Sequence, residues 1–304
     1  MDMTQMMFRP GLMEGERILV TGGGTGLGRE MAEGFLSLGA EVHICGRRGG
    51  VLEDTAKDLM DRHSKSGGGA VFAHPCDIRV PDAITEMNDR IWSAHGPLTG
   101  LVNNAAGNFI SRTEDISIRG FDAIANIVFR GTFAMTHDIG TRWIKAGDRG
   151  SVLSILTTWV FNGGPFTVPS AMSKAGINVM TQSLAVEWGR YGLRFNAIAP
   201  GPFPTEGMTK RLAPDADSTE DMNRDGANPM GRIGRMHELV NLAVFLMGPG
   251  AEYVNGQTVS IDGAAYNASG GNFSQLAAWS DRQWVEAAAA IKATNAKDRA
   301  KRTV

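Results

Sequence analysis

The chain has 304 residues, of which 42% are hydrophobic and 20% charged, proportions of an ordinary globular protein with enough chain to bury a substantial core. Its formal net charge of −2 excludes a general electrostatic pull toward nucleic acid or anionic membrane. Two cysteines are too few for a disulfide framework, and no apolar run reaches the length of a membrane span.

The first fifteen residues contain several methionines but no charged stretch followed by an apolar one. That pattern argues against a secretory leader and predicts a cytoplasmic protein. A strand is expected at 17–21, then a glycine turn, then a helix to about residue 38. Gly22, Gly26 and Gly28 fall between that strand and that helix. Glycines there let the backbone approach a pyrophosphate, and the helix start supplies N–H donors and a positive dipole end. Further strands are expected at 41–45 and 70–74, with a charged amphipathic helix between them. Folds that bind NAD usually place an acid about 20 residues beyond the glycine turn, on the ribose 2′-hydroxyl. Here Gly46 is followed by Arg47 and Arg48; losing the acid and gaining guanidinium donors favours the 2′-phosphate of NADP.

Runs at 98–102, 151–155, 194–198 and 258–261 complete the series, each separated by a helical pattern. Alternation of this kind predicts an α/β fold: a single-domain, Rossmann-type, doubly wound parallel sheet with helices on both faces. No linker interrupts it, so residues 1–304 are expected to form one domain, with a core of about 15–265 and an extension over 266–304. Irregular stretches at 202–229 and 263–271 follow strands, on the side where such sheets bind ligands. A helix is expected over 280–292, ending in a basic tail at 297–302. Cys45 and Cys76, at the ends of expected strands, read as small core residues in a reducing compartment. The six histidines show no metal-ligand spacing, so no metal is expected, and His43 reads as a core or edge residue of its strand.

Thr21–Gly28, Asn103-Asn104-Ala105-Ala106-Gly107, Lys174 within an apolar helix and Pro200-Gly201-Pro202 together resemble the short-chain dehydrogenase/reductases over roughly residues 15–265. Within that superfamily the chain is most similar to the 2,4-dienoyl-CoA reductases. The nearer marks are Asn103–Ser111, Val168-Pro169-Ser170-Ala171, Glu187-Trp188-Gly189, Gly271-Asn272-Phe273 and Gln283-Trp284. The resemblance implies an NADP site formed by Gly22, Gly24, Thr25, Gly26, Leu27, Arg47, Asp77, Ile78, Asn104, Ala105, Lys174, Pro200 and Gly201. It implies that Asp77 contacts the adenine and that Lys174 binds the nicotinamide ribose. It also implies that Arg79, Phe109 and Arg211 hold the coenzyme A part of an acyl-CoA substrate, in fatty acid β-oxidation. A homotetramer built on the fifth and sixth helices and the last strand is implied as well; nucleic-acid and membrane partners are not.

Typical members carry a tyrosine four residues before the lysine as general acid, and this chain has Ser170 there. An aliphatic hydroxyl holds its proton too tightly for that work near neutral pH, which disfavours ketone or alcohol chemistry. The dienoyl-CoA reductases share the serine and restore a phenol from the loop after the fifth strand, where this chain has Trp159. Their helix asparagine corresponds to Arg130, which reads here as an ordinary polar position of the fifth helix. The asparagine of typical members, two residues earlier, corresponds to Val128. Reducing a conjugated thioester requires stabilising a dienolate oxygen, while carbon protonation can come from water. Donors alone can therefore serve: the hydroxyls of Thr157 and Ser170 and the indole of Trp159, with Lys174 adding positive charge. Ser170, following Pro169, also reads as a helix N-cap, and Trp159 equally as a packing wall. The alternatives are a carbonyl reductase or alcohol dehydrogenase of the same superfamily, and a non-catalytic NADP-binding protein.

Overall fold

The computed structural model describes residues 5–63, 69–205, 228–268 and 278–289. Seven strands form one sheet: β1 (Arg17–Thr21), β2 (Glu41–Gly46), β3 (Ala70–Pro75), β4 (Gly100–Asn103), β5 (Gly150–Ile155), β6 (Leu193–Pro200) and β7 (Thr258–Ile261). Their order is β3-β2-β1-β4-β5-β6-β7, and every pairing is parallel. Parallel neighbours need crossovers. These are α1 (Gly26–Ser37), α2 (Gly49–His63), α3 (Pro81–His95), α4 (Ile118–Ala125), α5 (Thr132–Ala146), α6 (Trp159–Asn162), α7 (Val168–Trp188) and α8 (Met236–Met247).

The two-residue period of the strands divides the core between the sheet faces. Ile18, Val20, Val42, Ile44 and Leu153 pack with Met31 and Phe35 of α1, Leu52 and Leu59 of α2, and Leu239 and Val244 of α8. Leu19, Cys45, Leu101 and Val152 turn the other way, onto Ile84, Met87 and Ile91 of α3 and Met135, Ile139 and Trp143 of α5. Trp143 is fully buried, and a Cβ added to Gly150 of β5 would sit 2.5 Å from its ring. Side chains of this size contribute roughly 1.5–3 kcal/mol each on burial.

The expected strands all appear: 17–21 and 258–261 keep their bounds, and the other five shift by one or two residues at one or both ends. β4 begins at Gly100, not at residue 98, because Leu98 is buried for packing and its carbonyl accepts the Trp143 indole N–H rather than a ladder bond. β6 runs on to Pro200, whose missing N–H costs nothing at a strand end. Within the irregular stretch 263–271, Ala265–Ala268 forms one short helical turn, α9. Residues 281–289 of the expected tail helix are helical. Ser280 just precedes the helix, and 290–292, the basic run at 297–302, the larger part of 202–229 and Gly271-Asn272-Phe273 lie outside the described residues. Both cysteines are free and buried, Cys45 within β2 and Cys76 just past β3. Among the described residues no helix is long and apolar enough to cross a membrane.

Candidate active site

Strand order reverses at β1, whose neighbours β2 and β4 send their crossovers to opposite faces. A crevice therefore opens beyond the carboxyl ends of β1 and β4. Thr21, the last residue of β1, organises it: its Oγ1 donates to Val102 O and accepts from the N–H groups of Asn104 and Ala105, both at 2.9 Å. Asn104 Nδ2 donates to Thr21 O at 3.0 Å. The loop after β4 is thereby fastened to the glycine turn. Gly22 adopts φ +67°, and a Cβ there would stand 3.0 Å from Ala105 Cα. A Cβ on Gly28 would fall against Asn104 Nδ2 and lie 2.5 Å from the Gly22 carbonyl oxygen. Thr25 caps α1 in extended conformation without a side-chain bond, and the first turn of α1 carries no acid. Gly24 O accepts from Thr55 Oγ1 at 2.9 Å, and Leu27 lies against the core of this face. The turn thus presents uncapped N–H groups at a helix start, the arrangement that receives a diphosphate.

Arg47 and Arg48 are exposed just past β2. Asp77, just past β3, feels Arg47 through space and binds Arg79 directly, with Nε–Oδ1 at 2.9 Å and Nη2–Oδ2 at 2.5 Å. These guanidinium contacts hold the Asp77 carboxyl below its usual range. Ile78 is buried beside Gly131. Gly201, after Pro200 at the end of β6, donates its N–H to Ile261 O of β7 at 3.0 Å. The glycine cradle, the open helix start and the cationic rim past β2 fit a phosphorylated dinucleotide.

Lys174 lies on α7 with only 7% of its surface exposed, and its Nζ donates to Ile155 O at the end of β5. Burial alone pushes its ammonium down to about 8. Ser170, one turn earlier, is also buried. Helix α7 begins at Val168 with Thr167 as N-cap, so Ser170 is the third helical residue and does not cap it. Thr157 and Trp159 follow β5, both half-buried. The Trp159 ring packs over Gly164, where a Cβ would be 2.9 Å from Cδ2. Among the described residues neither the Ser170 hydroxyl, the Thr157 hydroxyl nor the Trp159 indole has a hydrogen-bond partner. Three donors without partners and one buried amine therefore gather around the ends of β5 and α7.

Arg130 belongs not to α5 but to a π-helical turn, Asn126–Gly131, that joins α4 to it. Arg130 is exposed there, whereas Val128 is fully buried against Ile124, Leu156 and Ile177. A π-turn widens the backbone and recurs at functional sites; here it brings an apolar side chain inward. Phe109 is half-buried against this same cluster. Its loop is tied to the start of α7 by Ser111 N–H donating to Phe166 O at 2.9 Å, with Phe166 at φ +61°. Arg211 lies outside the described residues. The roles of Thr21 and the Ile155 carbonyl escaped the sequence reading, since both act through partners far away in the chain. Thr21 does stand at the head of the glycine motif, which is the one signal it left.

A family model described as enoyl-(acyl carrier protein) reductase matches residues 22–264. A probable 2,4-dienoyl-CoA reductase of Caenorhabditis elegans is 39% identical over 299 residues, covering 97% of this chain and 95% of that one. A probable 2,4-dienoyl-CoA reductase of Bacillus subtilis is 36% identical, covering 84% of this chain and 98% of that one. Among solved structures, a short chain dehydrogenase from Bacillus anthracis matches with TM-score 0.73 and 36% identity, over 84% of this chain and 98% of that one. A gluconate 5-dehydrogenase from Burkholderia cenocepacia, in complex with NADP and tartrate, matches with TM-score 0.74 and 27% identity, over 84% and 96%.

Proposed function

The chain belongs to the short-chain dehydrogenase/reductase superfamily, and on that footing we propose that it is an NADPH-dependent reductase of conjugated enoyl or dienoyl thioesters, like the 2,4-dienoyl-CoA reductases. The observation that carries this reading is the serine, rather than a phenol, one turn before the buried Lys174. A site of hydroxyl and indole donors suits a reaction that must stabilise an oxyanion but need not protonate it. The named dienoyl-CoA reductases among its relatives support the same substrate class.

In this reading Gly22, Gly24, Thr25, Gly26 and Leu27 receive the diphosphate, and Arg47 the 2′-phosphate. Asp77, Ile78, Asn104, Ala105, Pro200 and Gly201 line the rest of the cofactor crevice. When held there, NADPH would supply the hydride that the distal carbon of the conjugated system takes up. Lys174 holds the ribose and adds positive charge, while Thr157, Ser170 and Trp159 donate to the thioester oxygen as charge develops on it. Water supplies the proton at carbon. Arg79, Phe109 and Arg211 attend the coenzyme A portion; Arg79 does so while still paired with Asp77. The protein works as a homotetramer, and its two buried free thiols suit a cytoplasmic, reducing setting.

The test is cofactor consumption, with NADPH and with NADH, across enoyl-CoA and dienoyl-CoA esters, gluconate and simple ketones. Turnover is expected with dienoyl-CoA, with NADPH preferred roughly 10- to 100-fold through the charge-assisted contact of Arg47. Turnover of gluconate or ketones in its place would overturn the substrate class. Turnover of nothing in the panel would favour a protein that binds NADP without catalysis.

A further inference from the structure

At the opposite, amino-terminal edge of the sheet, tertiary packing gathers histidines that no sequence spacing connects. Glu41 opens β2, and His43 follows on the same face. Helix α3 lies across that face and ends at His95. His43 Nε2 stands 3.0 Å from Glu41 Oε1, and His95 Nδ1 stands 3.3 Å from the same oxygen. The three ligand atoms all lie within 4.8 Å of one another. We propose that Glu41, His43 and His95 form a binding site for a divalent cation of the zinc class.

The donor set is the first argument. Two imidazoles and one carboxylate, with room for water, are the ligands zinc and its neighbours prefer, and calcium or magnesium do not. A tetrahedral ion with bonds of about 2.0–2.1 Å requires ligand atoms about 3.4 Å apart, and both separations to Glu41 Oε1 are already near that value. The surroundings are the second argument. His43 Nδ1 faces His74 Nε2 at 2.9 Å. With an ion on Nε2, the ring proton sits on Nδ1 and donates to His74, the outer contact that orients ligating imidazoles. Arg17 Nε holds Glu41 Oε1 at 2.7 Å and is itself tethered through Nη1 to Pro97 O. Arg17 occupies one lone pair of Glu41 Oε1 and leaves the other for the ion. Entry is open, because the side chains of Glu41 and His95 retain 29% and 20% exposure while His43 is fully enclosed.

An ion here ties the end of α3 to the start of β2, away from the cofactor crevice. The competing account is a hydrogen-bonded cluster in which His43 and His95 simply donate to Glu41. Untagged full-length protein, freed of metal by chelation, is titrated with Co2+ and then Zn2+. One equivalent of Co2+ with the visible absorption of a tetrahedral site is expected, displaced by Zn2+. His95→Gln, at a partly exposed helix end, should abolish the Co2+ absorption. His74→Phe, which keeps the ring but removes the outer acceptor, should weaken Zn2+ binding roughly 10- to 100-fold. Both variants should bind NADPH as the parent does, which reports that they are folded. Absence of a stoichiometric Co2+ site in the parent, or equal metal affinity in parent and His95→Gln, would overturn the proposal.

Discussion

Single side chains set the chemistry, and two of them make opposed demands on the protein. Trp159 rests on Gly164, and its indole N–H has no partner among the described residues. If that N–H supports the thioester oxygen, Trp159→Phe keeps the wall and removes the donor, so kcat should fall about 10²–10³-fold with little change in KM. Trp159→Tyr should retain or raise turnover. Single-turnover kinetics on the two variants would decide it, and an unchanged chemical step in the phenylalanine variant would falsify the donor role. Lys174 is held down from 10.5 to about 8 by desolvation, worth ~3 kcal/mol of disfavoured charge. Losing its bond to the Ile155 carbonyl costs about 1 kcal/mol. Lys174→Met should therefore stabilise the cofactor-free protein at pH 7 by about 2 kcal/mol, while weakening NADPH binding. The sign with pH follows from the lowered folded value. Below pH 8 the folded and unfolded chains both carry the proton and the cost is constant. Between about 8 and 10.5 only the unfolded chain binds it, so the parent gains stability as pH rises. Thermal melts at pH 7 and 10 should show the gap closing, and a variant less stable than the parent at pH 7 would contradict this account.

The elements were the most legible part of the sequence, because each strand shows its burial and each turn its glycines. The glycine turn carries a sharp prediction. A Cβ on Gly28 meets the Gly22 carbonyl and the Asn104 amide together, so Gly28→Ala must displace the loop that Thr21 fastens. Overpacking of this kind costs roughly 1–3 kcal/mol. Calorimetry should find a lower Tm and at least a tenfold loss of NADPH affinity; unchanged binding would show that the loop has slack. What the sequence hid lay between elements. Leu98 looked like strand and is a packing residue whose carbonyl serves Trp143. Arg130 looked like helix and sits on a π-turn, since an extra residue per turn leaves no mark on hydrophobic periodicity. Ser170 looked like a cap because Pro169 precedes it, but proline is equally at home inside the first turn, and Thr167 takes the cap. His43 and His95 are 52 positions apart in the chain, and only the docking of α3 on β2 makes them neighbours.

At the scale of the molecule, one outer face is conspicuously apolar. Met172, Val179 and Val186 of α7 repeat every seven residues and are 57%, 58% and 85% exposed, which places them in one stripe. Phe129, whose ring lies against Gly176 of that helix, and Phe133 of α5 extend it. A patch of this kind is rare on a monomer and suits association of copies through α5 and α7. Val179→Glu should lower the mass seen by light scattering with chromatography, whereas an unchanged mass would place the interface elsewhere. The strand order has a consequence for how the protein is made. β1 is synthesised first yet ends at the middle of the sheet, with β2 and β3 on one flank and β4 to β7 on the other. Until β4, at residues 100–103, has been made, the Arg17–Thr21 segment presents a bare apolar edge of the sort that recruits foreign strands. The docking of β4 closes that edge and creates the dinucleotide crevice in the same event. A dinucleotide seated there would latch the glycine turn after β1 to the loop after β4, so the cell's supply of cofactor would also govern how long newly made chains stay vulnerable.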